Sequence, residues 1–127
     1  MKTNNKKILV AEDDVLLRKL LSDLLTFYGY DVDCVSNGKE AIALIETGSY
    51  DVLITDYMMP EMNGIELIKK VRDIKKSLAI IGMSASEEER GFLAAGANLF
   101  IAKPFSPYAL KNIIEEICLT PLEVKDF

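Results

Sequence analysis

Apolar positions along the chain follow two alternating rhythms. Ile8-Leu9-Val10-Ala11, Val52-Leu53-Ile54, Leu78-Ala79-Ile80-Ile81 and Leu99-Phe100-Ile101-Ala102 are short, nearly unbroken runs rich in β-branched residues. Such runs read as strands buried on both faces. Tyr30-Asp31-Val32-Asp33-Cys34-Val35 alternates polar and apolar residues, which suits an edge strand. Between the runs, apolar residues recur three and four apart: Leu17, Leu20, Leu21, Leu24 and Tyr28; Ile42, Leu44 and Ile45; Ile65, Leu67, Ile68 and Val71; Leu110, Ile113, Ile114 and Ile117. Each set marks one face of a helix. The punctuation agrees. Asp14 stands where it can cap the first helix, and Gly29 and Gly48 close the first two. Asn37 with Glu40, Asn63 with Glu66, and Ser86 with Glu89 have capping-box spacing, and Ser106-Pro107 reads as N-cap and first helical residue. The helix after Ser86 contains Gly91, which costs roughly 1 kcal/mol relative to Ala, so it is expected to be the least rigid.

Five strands and five helices alternate, with strand starts about 20 to 27 residues apart. That spacing predicts right-handed crossovers and an α/β fold, a (βα)5 doubly wound, five-stranded parallel sheet covered on both faces. One domain over 1–127 is expected, with a core over about 6–118. Leu119 to Phe127 shows no usable pattern and reads as a tail or linker stub.

Composition narrows the function. The 127 residues include no histidine, which removes histidine bases, triads, metal ligands and phosphohistidine from this chain. A net charge of −5 argues against direct nucleic-acid binding. The densest basic run, Lys69 to Lys76, has no aromatic residue and reads as the solvated face and end of a helix. Cys34 and Cys118 lack disulfide or zinc spacing and read as buried free thiols. No apolar run is long enough to span a membrane, and the first seven residues lack a signal peptide's apolar segment. The expected location is the cytoplasm.

Chemistry collects at the strand ends. Four of the five strands end in a polar reactive residue: Glu12-Asp13, Asp56, Ser84 and Lys103. In a parallel sheet these ends share one edge, and open sheets bind ligands where the strand order reverses. If the first and third strands flank that reversal, Glu12, Asp13 and Asp56 meet there. Three carboxylates within ~5 Å repel by roughly 3 kcal/mol per pair at an effective dielectric near 20. They need a cation, and hard oxygen ligands suit Mg²⁺. Lys103 supplies a point charge for a phosphate oxygen and Ser84 a small hydroxyl donor. Together they describe phosphoryl transfer to a carboxylate nucleophile. Singly, each has an ordinary explanation as a cap, turn or surface residue. Met58, Met59 and Met62 read as core or turn fillers, and Phe100 as core.

The segments Ile8-Leu9-Val10-Ala11-Glu12-Asp13-Asp14, Asp51 to Pro60 with Met62-Asn63-Gly64, Ile80 to Ala85 and Gly96 to Phe105 resemble the receiver domain of two-component response regulators, of the chemotaxis-type single-domain form. The resemblance implies a flavodoxin-like strand order, 2-1-3-4-5. It makes Asp56 the phosphoacceptor and assigns Glu12, Asp13, Asp56 and the Met58 backbone carbonyl to a Mg²⁺ site. Lys103 would contact the phosphate, Ser84 would be the switch hydroxyl and Phe100 the switch aromatic. The Lys103–Pro104 peptide would be cis. It further implies a phosphoprotein that catalyses only its own aspartyl phosphorylation and dephosphorylation. Its phosphoryl donor would be a sensor histidine kinase or a histidine phosphotransfer protein. Output would pass to a downstream protein or domain through the fourth helix, fifth strand and fifth helix, with no direct contact to nucleic acid or membrane. Two departures stand out: Glu12 replaces a more usual Asp, so its longer arm could reach the metal through water, and Phe100 lacks the hydroxyl of the frequent Tyr. No DNA-binding domain follows, so a stand-alone receiver or an excised one is expected.

Two rival classes use related parts. A haloacid-dehalogenase-type Mg²⁺-dependent phosphatase wants a second Asp two residues after its nucleophile, where this chain has Met58. An FMN-binding flavodoxin-like carrier wants a hydroxyl- and Gly-rich loop after the first strand, where this chain has Glu12-Asp13-Asp14.

Overall fold

The structure, a computed structural model, describes residues 6–125, and side chains within 6–118. The predicted alternation is present throughout: β1 (Lys7–Ala11), α1 (Val15–Phe27), β2 (Asp31–Val35), α2 (Gly38–Thr47), β3 (Val52–Asp56), α3 (Gly64–Ile74), β4 (Ala79–Ser84), α4 (Glu89–Ala95), β5 (Leu99–Ala102) and α5 (Pro107–Lys125). All four strand pairs are parallel, in the order β2-β1-β3-β4-β5.

Period-two alternation within the central strands divides the core. Ile8, Val10, Val52, Ile54, Ile81 and Met83 face one layer, against Leu21 and Leu25 of α1 and Leu110, Ile114 and Ile117 of α5. Leu9, Ala11, Leu53 and Ile80 face the other, against Ala41 and Ile45 of α2, Leu67, Ile68 and Val71 of α3, and Phe92 of α4. β3 is buried at all five positions, whereas β2 is buried only at Val35, as an edge strand should be. On α1 the stripe sits slightly rotated from expectation. Leu21 and Leu25, four apart, are fully buried and Leu20 is half exposed.

The start signals work unequally. Asp14 accepts from the amides of Leu16 and Leu17, and Asn63 with Glu66 forms a complete capping box. Asn37 caps α2, but the Glu40 carboxylate turns to Ser36. Ser106 accepts from the Ala109 amide at the head of α5. The expected box at Ser86 and Glu89 does not form: α4 begins at Glu89, and its N-cap Glu88 makes no side-chain cap bond. Ser86 spends its hydroxyl on the Glu88 carboxylate instead. Gly91 also acquires a packing reason, since a Cβ there would stand 2.6 Å from Ile65 Cδ1 of α3. The sequence pattern of α5 stops at Ile117, whereas its backbone is helical to Lys125. The last two residues lie outside the described range.

Arg72 departs from the solvated-face reading of the basic run. Its guanidinium donates to the carbonyls of Gly96 and Leu78 and to the Asn98 side chain, tying the end of α3 to the α4–β5 turn. At the opposite edge of the sheet from the strand ends, the Tyr50 phenol donates to Asp33 Oδ2 at 2.6 Å. Burial, and then that bond, push its pKa up to about 12. A raised folded value means this stability is complete below the ordinary tyrosine pKa, near 10, and is lost as pH rises from there through about 12. Tyr50→Phe should therefore flatten the fall in melting temperature across that alkaline window, measured by calorimetry at stepped pH.

Candidate functional site

β1 leads to β2 on one side and α2 leads to β3 on the other, so a crevice opens beyond the carboxyl ends of β1 and β3. Glu12 follows β1 directly, and its amide donates to the Val35 carbonyl, which fixes the chain as it leaves the sheet. Asp56 is the last residue of β3, opposite Met83 of β4. Carboxylate oxygens of Glu12, Asp13 and Asp56 all lie within 4.8 Å of one another. Glu12 and Asp56 are buried, and Asp13 is exposed.

Lys103, just past β5, closes the site. Its ammonium lies 2.8 Å from Asp56 Oδ1 and 3.1 Å from Glu12 Oε1. Burial alone would lower its pKa, but the hydrogen bonds to Asp56 and Glu12 outweigh burial and hold it above the ordinary lysine value. Burial pushes the Glu12 carboxyl up, against the Asp14 amide that donates to Oε2 at 3.0 Å. The lysine expected to supply a point charge is thus held between two acids. The Lys103–Pro104 peptide is cis.

Close packing holds this edge in place. The Gly64 amide donates to the Tyr57 carbonyl at 2.9 Å, and a Cβ on Gly64 would collide with the Asp56 carbonyl, so the Met58–Gly64 turn can return across the strand end only with glycine there. Arg18 of α1 donates to the Glu12 carbonyl at 2.9 Å. Met58 is 69% exposed beside the site.

The remaining sequence-predicted residues lie close by but are not joined to the carboxylates. Ser84 ends β4, one position past the partner of Asp56, and its hydroxyl is bonded to Ser86 and Glu88. Phe100 is half buried on β5, its ring 5.7 Å from that of Phe92. Phe92 escaped the sequence reading and is fully buried at the centre of this region. It packs edge-on to Tyr57 at 6.1 Å and directly over Gly82, where a Cβ would lie 2.5 Å from the ring. A glycine inside an otherwise apolar strand was the available signal, since it marks close approach of another group.

The donor set is made of hard oxygens with an ammonium beside them, which suits a divalent cation and a phosphoryl group. No helix among the described residues is long and apolar enough to cross a membrane.

Comparisons with known proteins agree with this chemistry. The chain is 40% identical over 114 residues to the sensor protein EvgS of Escherichia coli K12, covering 87% of this chain and 9% of that protein. It is 41% identical over 118 residues to a chemotaxis protein CheY homolog of Campylobacter jejuni, covering 87% of this chain and 91% of that one. The chain therefore spans under a tenth of the first relative and most of the second. The receiver domain of sensor histidine kinase PA1611 from Pseudomonas aeruginosa, solved with a magnesium ion coordinated in its active-site cleft, superposes with a TM-score of 0.83 at 26% identity, covering 89% of this chain and 97% of that one. The response regulator receiver domain family matches residues 8–115, which takes in β1 from Ile8, the other four strands and every residue of the carboxylate–lysine cluster. On that match the chain belongs to the response regulator receiver domains, the phosphoacceptor modules of two-component signalling.

Proposed function

We propose that Asp56 is the residue of this chain that takes the phosphoryl group, from a sensor histidine kinase or a histidine phosphotransfer protein acting in the cytoplasm. The observation that carries the reading is the Lys103 ammonium shared between Asp56 and Glu12, with Asp13 alongside. In the transfer, a carboxylate oxygen of Asp56 forms a bond to phosphorus while the donor's bond to phosphorus breaks and its electron pair leaves with the donor. Lys103 is placed to meet an oxygen of the arriving group. Glu12, Asp13, Asp56 and the Met58 carbonyl would hold Mg²⁺, whose chemistry when bound is to neutralise charge on the phosphoryl oxygens. With no histidine in these 127 residues, the donor group lies outside them. The test is incubation with acetyl phosphate and Mg²⁺ followed by intact-mass and peptide analysis. One phosphoryl group per chain, on the peptide that holds Asp56, supports the reading, and an unmodified chain overturns it.

The output face in this reading is α4, β5 and α5. Ser86, Glu89, Arg90, Phe100 and Ala102 line an open groove there of about 470 Å³, and Leu93 and Tyr108 stand exposed on the two helices. Ser84 would donate to the phosphoryl group, and Phe100 would follow it inward. Ser84→Ala should still accept phosphate on Asp56 but lose most of the phosphorylation-dependent amide NMR shifts over residues 85–105. Shifts equal to the parent's would remove Ser84 from the coupling.

A further inference from the structure

The Ser84 hydroxyl is already engaged in the resting chain. It is 2% exposed, lies 3.1 Å from Glu88 Oε1 and 3.3 Å from Ser86 Oγ, and accepts from the Ser86 amide at 3.1 Å. The Ser86 hydroxyl reaches the same Glu88 oxygen at 2.6 Å. A serine hydroxyl has one proton to donate, and a carboxylate is the strongest kind of acceptor near it. Glu88 has no other evident task. It occupies the N-cap position of α4 without making a side-chain cap bond, and no cation among the described residues pairs with it. Among the described residues its side-chain bonds go to the two serines.

We propose that Glu88 is the resting acceptor of the Ser84 proton, a positioning residue that holds the switch hydroxyl in its unphosphorylated orientation. This rests on the reading of Asp56 as phosphoacceptor and Ser84 as its switch. A phosphoryl group on Asp56 presents acceptors of the same anionic kind, and one proton cannot serve both sites. Switching is therefore an exchange of one charge-assisted bond for another, not the gain of a new one. The net drive is the difference between the two bonds, which keeps the switch shallow and reversible. Glu88 thereby sets how readily the chain adopts the switched state for a given occupant at Asp56.

The probe is beryllofluoride with Mg²⁺, a phosphoryl mimic, titrated while the amides of residues 84 to 102 are followed by NMR. Parent, Glu88→Gln, Glu88→Ala, Ser84→Ala and the Ser84→Ala/Glu88→Ala double variant are compared. A neutral amide accepts more weakly than a carboxylate and alanine not at all, so affinity should rise from parent through Gln to Ala, reaching about tenfold. In the free Glu88→Ala chain the Ser84 amide should already move toward its position in the occupied parent. Because Glu88 acts through Ser84, its removal should change nothing in the Ser84→Ala background. Unchanged affinity in both Glu88 variants overturns the proposal. So does a gain that persists without the Ser84 hydroxyl, since that would be the lifting of repulsion between two anions. A parent that binds no beryllofluoride and takes no acetyl phosphate label fails at the phosphoacceptor reading itself, and the two failures are thus told apart.

Discussion

Asp56→Asn should take up no phosphoryl group from acetyl phosphate under conditions that label the parent to one per chain. The substitution keeps the shape of the side chain and removes its nucleophilic oxygen, so loss of labelling reports chemistry and not collapse. In the proposed reading this acid is favoured over the two beside it. Asp56 ends the strand that is buried at every position, and Lys103 takes its Oδ1 at 2.8 Å. Glu12 has both oxygens committed, one to Lys103 and one to the Asp14 amide. Asp13, by contrast, is exposed. Intact mass reads the outcome directly. Full labelling of Asp56→Asn would transfer the phosphoacceptor role elsewhere, with Asp13 the next residue to replace.

Removing divalent metal should have the second largest effect. In chelator, labelling should fall to background. Mg²⁺ at 100 times its dissociation constant should stabilise the fold by about 2.7 kcal/mol, on the order of 10 °C in melting temperature for a domain of this size. The structure separates two variants that simple charge repulsion would treat alike. Three carboxylates face one ammonium, so in the metal-free chain the repulsion is partly met by Lys103. Asp13→Asn removes a charge that Lys103 does not reach and should stabilise the chelated protein by ~1 kcal/mol. Asp56→Asn removes similar repulsion together with a 2.8 Å ion pair, so its melting temperature in chelator should stay close to the parent's. Both variants should show a smaller Mg²⁺-induced rise than the parent. A lower melting point for Asp13→Asn in chelator would mean that the acids do not strain the metal-free fold.

The sequence by itself determined the elements, their order and the residues at the strand ends. Its information there is periodic and local: continuous apolar runs such as Val52-Leu53-Ile54 can be satisfied only by burial on both faces, and Asn63 with Glu66 closes its box within one turn. Once the strands are parallel, chain direction carries Glu12, Asp13, Asp56, Ser84 and Lys103 to one edge without any knowledge of packing. Tertiary structure decided what those groups touch. Phe92 filling the space above Gly82, Arg72 reaching the carbonyls of Gly96 and Leu78, and Leu20 turning outward all depend on how far each helix rotates against the sheet. Several rotations give the same periodicity, so the pattern cannot choose among them. The Ser84 hydroxyl is the sharpest case. Its place at the end of β4 follows from the sequence, but Glu88 can accept its proton only because α4 starts two residues later than the Ser86–Glu89 spacing indicates. A polar side chain takes the strongest acceptor its folded surroundings offer, and the path of a loop settles which acceptor that is.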